Sequence, residues 1–117
     1  MNSDRVVSDA ELAAKVVGSD HQGAFQELVE RHQVVIRAFL RRLTTGDHAL
    51  ADDLSQDTFI LAYRKIHTWN GKGKFSSWLH TIAYRQFIGH LRKNSRQQVM
   101  AEVPEIPVDE RNAMEAE

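Results

Sequence analysis

The spacing of apolar residues along the chain predicts helices throughout. Between positions 21 and 44 apolar side chains recur every three or four residues, the period of a helix with one buried face. The same spacing returns between positions 47 and 67 and between 75 and 96, after a shorter helical stretch near the N-terminus. No segment alternates with the period of two that marks a strand. We therefore predict an all-α fold, a compact bundle of four helices.

Local signals mark the ends of the first two helices. Ser8 and Glu11 have the spacing of a capping box, which opens a short first helix. We expect Gly18 to end that helix in the left-handed conformation and Asp20 to cap the second helix. His32 falls on the apolar stripe of the second helix, so we predict a partly buried, hydrogen-bonded histidine.

Similar signals delimit the third and fourth helices. Gly46 is expected to close the second helix and Asp47 to cap the third. The segment TWNGKGK then predicts a loop, because its glycines interrupt any helix. Ser76 or Ser77 is the predicted cap of the fourth helix. The stripe of that helix includes Trp78, which we therefore assign to the core.

The composition fits one small domain without disulfides. The chain has 117 residues, of which 42% are hydrophobic, enough for one modest core. It has no cysteine, which excludes disulfides and thiolate metal sites. No apolar run approaches the roughly 20 residues of a membrane span, and the acid-containing N-terminus does not resemble a secretion signal. We therefore expect a cytoplasmic chain.

The charges are separated along the sequence, although the net charge is only −1. Residues 72–96 contain six lysines and arginines and no acid, whereas residues 47–57 contain four aspartates and no lysine or arginine. Residues 97–117 contain six acids and one arginine and read as an acidic linker or disordered tail. Blocks of opposite sign predict two surfaces with different partners, although solvated helix faces would also explain them.

The basic block has the composition of a nucleic-acid interface. Its lysines and arginines suit phosphates, and the interleaved aromatic and polar side chains suit unpaired bases. Tyr84 and Arg85 fall off the apolar stripe and are the favoured contacts to bases. The predicted DNA-binding residues are Lys72, Lys74, Ser76, Ser77, His80, Tyr84, Arg85, Arg92, Lys93 and Arg96.

The acidic block predicts a protein-binding face. Asp53, Gln56 and Asp57 are spaced to share one side of the third helix, where they could meet a basic surface, bind a metal or favour the helix N-terminus. No further metal ligands are apparent, so we expect no metal. No catalytic motif or cofactor-binding loop is recognisable, so we expect no cofactor and no enzyme. A helical module that binds only proteins is the alternative to a nucleic-acid-binding domain.

Two long motifs in the right order resemble a known family. DDLSQDTFILAYRKI, followed by KFSSWLHTIAYRQFIGHLRK, resembles region two of bacterial sigma factors, and most closely the extracytoplasmic-function (ECF) type. The upstream segment DHQGAFQELVERH is also similar to the opening of that region. The resemblance extends from about Asp9 to Arg96.

The resemblance implies roles for both charged blocks. In the family, the acidic face of the third helix docks on the clamp helices of the largest subunit of RNA polymerase, which implies polymerase binding by Asp53, Gln56 and Asp57. The loop before the fourth helix, here about residues 69–77, takes up a flipped base of the promoter's minus-ten element. The implied partners are core RNA polymerase, the single-stranded non-template minus-ten DNA and an anti-sigma factor.

Several positions depart from the family pattern. Arg85 stands where relatives often have asparagine in the base pocket, and Asp57 replaces a more usual glutamate. Thr81 and Ile82 occupy the positions of the paired tryptophans of housekeeping sigma factors, which implies weaker melting by this chain. Residues 1–96 would form the region-two domain. We expect residues 97–117 to lead to a C-terminal helix-turn-helix domain that this chain lacks.

Overall fold

The structure is a computed structural model that describes residues 6–97. Those residues form helices and connecting turns, with no strand among them. The prediction of an all-α bundle of four helices is thereby confirmed. In chain order the elements are α1 (Asp9–Ser19), α2 (Gln22–Leu43), α3 (His48–Lys65), a 3-10 turn (Ile66–Thr68) and α4 (Phe75–Gln97).

The turn between α1 and α2 differs from the expectation. The capping box forms as predicted, with the Glu11 amide donating to Ser8 Oγ at 3.1 Å and the Ser8 amide donating to the Glu11 carboxylate at 3.1 Å. Gly18, however, lies inside α1, and Asp20 takes the left-handed conformation with φ 50°. Aspartate tolerates that region better than most residues. His21 then caps α2, its Nδ1 accepting from the Ala24 amide at 2.9 Å.

The turn between α2 and α3 matches its sequence signals. Thr45 and Gly46 both have positive φ, 54° and 86°, and the Gly46 amide donates to the Arg41 carbonyl at 2.9 Å. Such bonds satisfy carbonyls that the end of a helix leaves free. Asp47 then caps α3 by accepting from the Leu50 amide at 3.1 Å. The expected roles of Gly46 and Asp47 are confirmed.

The core forms around α2, which packs against the other three helices. The predicted stripe supplies its most deeply buried side chains, including Leu28, Ile36, Phe39 and Leu40. Full burial of each such side chain stabilises the fold by about 1.5–3 kcal/mol. The apolar stripe of α4 is buried as well, and its buried residues are Phe75, Trp78, Leu79, Ile82, Ala83 and Phe87, which confirms that Trp78 belongs to the core.

Two polar links tie the helices together. Asp9 of α1 accepts from Arg31 Nη1 at 3.1 Å and contacts His32 Nε2 at 2.8 Å, both on α2. The prediction of a partly buried, hydrogen-bonded His32 is thereby confirmed. At the other end of α1, the Tyr63 hydroxyl of α3 donates to the Asp20 carboxylate, and that hydrogen bond raises the pKa of Tyr63 above its ordinary value.

The start of α4 corrects the predicted cap. Ser76 and Ser77 both lie in its first turn, because the helix already begins at Phe75. The Lys74 carbonyl accepts from the amides of Ser77 and Trp78 at 3.1 and 3.3 Å. At the other end, α4 continues to Gln97, so the predicted tail lies almost entirely outside the described residues. Among the described helices, none is long and apolar enough to cross a bilayer.

Candidate nucleic-acid and polymerase interfaces

A pocket of about 290 Å³ lies between the end of α3, the loop that follows it and the first half of α4. We call it the loop pocket. Apolar and aromatic walls come from Leu61 of α3, Trp69 of the loop, and Trp78 and Ile82 of α4. Flat aromatic walls around a cavity of this size suit a planar ring, such as a nucleobase.

Phe75 holds the walls of the loop pocket in position. This ring is 3% exposed and packs edge-on against Trp69, with centroids 5.2 Å apart. It also lies 5.4 Å from the Trp78 ring and 5.6 Å from the His32 ring. Because Phe75 contacts rings from α2, the loop and α4, it fixes the position of Trp69 relative to the helical bundle.

Two glycines and an asparagine shape the loop itself. Gly71 and Gly73 have φ of 81° and 72°, in the left-handed region that other residues rarely adopt. Asn70 Oδ1 accepts from the Lys72 amide at 2.9 Å, which closes a local turn. These features direct the segment back toward α4, so that Lys72 and Lys74 both line the pocket.

The rim of the loop pocket is cationic. Lys65, Lys72, Lys74 and Arg85 line it, all four are exposed, and no carboxylate is among the lining residues. Like charges around a concave surface raise its positive potential and attract anions. The Trp69 Nε1 atom is buried and has no hydrogen-bond partner among the described residues. The pocket thus combines apolar walls, unused donors and positive charge.

Beyond the loop pocket, the last turns of α4 extend the basic surface. Arg92, Lys93 and Arg96 are exposed there. Arg96 lies eleven residues after Arg85, about 16 Å along the helix axis at 1.5 Å per residue. The cations therefore form a track that is long enough to follow the backbone of several nucleotides.

The acidic face of α3 is exposed to solvent. Asp53, Gln56 and Asp57 are all exposed, and none makes a hydrogen bond or ion pair within the described residues. Asp52 behaves differently, because its carboxylate lies 3.4 Å from Arg37 Nε and 3.8 Å from Arg41 Nη2 of α2. Within the acidic block, Asp52 therefore pairs with arginines of α2, whereas the acidic face is available to a partner.

An apolar groove runs between α2 and α3 next to this acidic face. Its floor includes Phe25, Phe59 and Tyr63, with the Phe25 and Tyr63 rings packed edge-on at 5.1 Å. Ile60, 46% exposed, lies along the groove, and Gln56 belongs to both the groove and the acidic face. The two features therefore form one continuous surface, which we call the α2–α3 surface.

Comparison with known proteins identifies the family. Residues 28–97, more than half of the chain, match the family described as Sigma-70 region 2. The chain belongs to this family. The match contains the loop pocket, the basic end of α4 and the acidic face of α3, so these are features of a sigma region-two domain.

Several relatives are extracytoplasmic-function sigma factors. The domain is 37% identical over 86 residues to the ECF RNA polymerase sigma factor SigM of Mycobacterium tuberculosis, covering 74% of this chain and 43% of that protein. It is 34% identical over 79 residues to ECF SigW of Bacillus subtilis, covering 68% and 42%. The ECF sigma-E factor of Haemophilus influenzae is 31% identical over 90 residues, covering 77% and 46%.

Two further facts bound these comparisons. The chain spans less than half the length of the curated relatives it matches. No solved structure showed a significant match. The similarity to ECF sigma factors therefore rests on sequence. This similarity confirms the prediction that the chain is an ECF-type region-two domain.

The structure brings together only part of the predicted DNA-binding set. Lys72, Lys74 and Arg85 meet at the loop pocket. Lys65 and Thr81 also line it, and sequence reasoning missed both. Lys65 was missed because it ends α3, and only the 3-10 turn brings it to the loop. Thr81 was considered only as a replacement for a tryptophan, because its place on the pocket side of α4 depends on where the loop folds.

The remaining predicted contacts lie away from the pocket. Ser76, Ser77 and His80 are half-buried, and the His80 ring donates through Nδ1 to the Ser76 carbonyl at 2.7 Å while packing on Phe39 at 4.9 Å. Tyr84, predicted to be an exposed position off the apolar stripe, is half-buried and packs against the core. Its place on α4 next to the stripe explains the difference, because the ring is long enough to reach the core. The DNA contacts of these residues stay predictions.

Proposed function

We propose that this sigma region-two domain binds core RNA polymerase through the acidic face of α3 and holds an unpaired base of the minus-ten non-template strand in the loop pocket. The observation that carries the proposal is the loop pocket itself. Its apolar walls exclude water from a flat ring, while four cations surround its mouth and no carboxylate opposes a phosphate. A nucleotide has this combination of a flat apolar face and an adjoining negative charge.

The pocket suggests how strand opening would become favourable. A base stacked on an aromatic side chain gains about 1–3 kcal/mol. Paired DNA cannot reach Trp69 or Trp78, so this gain goes only to the unpaired strand and offsets part of the cost of unpairing. The cations of the pocket and of the end of α4 would hold the backbone without reading sequence.

Melting by this domain should depend strongly on the promoter sequence. Thr81 and Ile82 are 5% and 6% exposed and line the pocket, so no large ring stands at these positions to wedge into the duplex. Opening would then rely on capture of a base that fits. This supports the expectation of weaker melting than housekeeping sigma factors achieve.

The α2–α3 surface is the proposed protein-binding side. Its acidic face would meet the clamp helices of the polymerase's largest subunit, and an anti-sigma factor would regulate the domain by covering the same surface. We propose a role in transcription initiation without catalysis by this chain. Because the proposed partner is RNA polymerase, the domain should be in the same compartment as polymerase, which supports a cytoplasmic location.

Selection from a random pool of single-stranded DNA tests base capture. The full chain is incubated with the pool, and a selected strand is then scanned by replacing one nucleotide at a time with an abasic residue. We expect one position at which loss of the base weakens binding about tenfold, the scale of one lost stack. Equal affinity for every abasic strand, or no enrichment from the pool, would show that the domain binds backbone alone.

Charge reversal tests the polymerase face. Asp53→Arg together with Asp57→Arg should abolish capture of core polymerase or of its clamp fragment, because both residues would then repel a basic partner. Glu30→Arg is the control for charge reversal elsewhere, since it reverses one exposed carboxylate on α2 outside this face. If the double variant still captures polymerase as well as the control does, the acidic face is not the docking surface.

A further inference from the structure

The charged groups that line the loop pocket are all hydrogen-bond donors. Lys65, Lys72, Lys74 and Arg85 line it, and their side chains carry only N–H donors. Polar oxygens of the neighbouring side chains take part in hydrogen bonds within the fold. The Thr68 hydroxyl donates to the Lys65 carbonyl at 2.6 Å, and Asn70 Oδ1 accepts from the loop at 2.9 Å.

Arg85 is the donor with directional geometry. Its guanidinium presents parallel N–H groups in one plane, whereas an ammonium group acts as a point charge. Arg85 is exposed and makes no hydrogen bond or ion pair with the described residues, so its fork is available. It follows the wall residues Thr81 and Ile82 by four and three positions, which places it on the same side of α4.

The four bases differ in what they offer to such a fork. Guanine presents two adjacent acceptors, O6 and N7, which match a guanidinium in a bidentate pair, and cytosine presents O2 beside N3. Adenine places its amino donor beside each acceptor on those edges, and thymine places a ring N–H between its two oxygens. A guanidinium fork can therefore form two parallel hydrogen bonds with guanine or cytosine and only one with adenine or thymine.

From these contacts we infer that Arg85 determines base selectivity, and that the loop pocket prefers a base with two adjacent acceptors, guanine above all, over adenine. This rests on the proposed function, since it concerns the same pocket. The tryptophan walls accept any ring, so the choice among bases falls to the one group that can form a pair of parallel hydrogen bonds.

The test uses the strand and the position found by the abasic scan. Strands with each of the four bases at that position are titrated with the full chain. Guanine or cytosine should bind about tenfold more tightly than adenine, the scale of one bidentate pair. Arg85→Lys, which keeps the charge and loses the fork, should reduce this ratio to about two. Arg85→Gln should shift the preference toward adenine, because a glutamine amide pairs with N6 and N7.

The outcomes separate this inference from the proposed function. Arg85 is exposed, so both variants should keep the helical circular dichroism of the native chain, and a fall in affinity that is equal for all bases would mean a role in phosphate binding only. Such an equal loss overturns the inference and leaves base capture standing. The same holds if both variants keep the native order of base preference, or if the native chain binds adenine or thymine most tightly. An abasic scan without any sensitive position overturns both.

Discussion

At the scale of single residues, a few side chains connect the core to the proposed binding surfaces. Phe75 is buried in the bundle and also packs against Trp69, a wall of the loop pocket. Asp9 has a comparable role for the α1–α2 pair, because its carboxylate holds both Arg31 and His32. These residues set where the loop and the helices lie before any partner binds.

Asp9→Asn should destabilise the fold. Desolvation lowers the pKa of Arg31, but hydrogen bonds to Asp9 and Glu27 outweigh it and raise that pKa above its ordinary value. Loss of the Asp9 charge weakens this cluster, so we expect the free energy of unfolding in urea to fall by about 1–2 kcal/mol. Glu30→Gln, at an exposed carboxylate with one weak contact at 3.4 Å, should change it by less than about 0.5 kcal/mol. Equal effects would contradict a structural role for Asp9.

At the scale of elements, much of the fold follows from apolar spacing and capping residues. The stripes of α2 and α4 and the Asp47 cap match the structure, because burial and capping are local in sequence. The errors arose where two signals competed. Asp20, and not Gly18, adopts the left-handed conformation at the end of α1. The cap of α2, which was expected from Asp20, comes from His21 instead. Similarly, Lys65 joins the pocket only through the fold of a loop that periodicity does not describe.

Two glycines with different backbone conformations give a matched pair of stability predictions. Gly46 has φ 86°, so Gly46→Ala forces a left-handed alanine and should lower the free energy of unfolding by about 1 kcal/mol. Gly89 lies within α4, and an added Cβ there would meet nothing within 4 Å. Gly89→Ala should therefore raise the free energy of unfolding by about 0.5–1 kcal/mol. Thermal or urea unfolding measures both, and changes of the same sign would contradict the assignment.

The basic end of α4 should contribute affinity without selectivity. Arg92→Gln with Lys93→Gln removes two phosphate contacts, so the slope of log affinity against log salt should fall by about 1.4, at about 0.7 per contact on single strands. The loss should be equal for strands of different sequence. Lys15→Gln, at an exposed lysine of α1, should leave the slope unchanged. A sequence-dependent loss in the double variant would instead assign base reading to this end of the helix.

At the scale of the whole molecule, the acidic face and the loop pocket are separated along α3. Asp53 lies on its first half, and Lys65, at its end, lines the loop pocket. Asp53 and Lys65 are twelve positions apart, about 18 Å along the axis, and Asp57 and Lys65 are eight apart, about 12 Å, and both distances exceed the screening length at physiological salt, about 8 Å. The two surfaces should therefore work independently in a single domain.

Independence can be measured in both directions. At physiological salt, Asp53→Arg with Asp57→Arg should leave affinity for the selected single strand within about threefold of the native chain, because screening removes most of the coupling. Lys72→Gln with Lys74→Gln should weaken DNA binding and leave capture of core polymerase unchanged. If either pair of substitutions reduces both activities alike, the surfaces overlap or depend on each other for folding.

Tryptophan fluorescence tests base capture most directly, because both tryptophans of the chain, Trp69 and Trp78, line the loop pocket. A stacked base should quench this emission, so the selected strand should quench it in a saturable titration, and a strand of the same length with an abasic residue at the sensitive position should not. The two strands differ little in charge, which separates occupancy of the pocket from binding along the backbone. Equal quenching by both strands, or binding with no change in emission, would contradict the account.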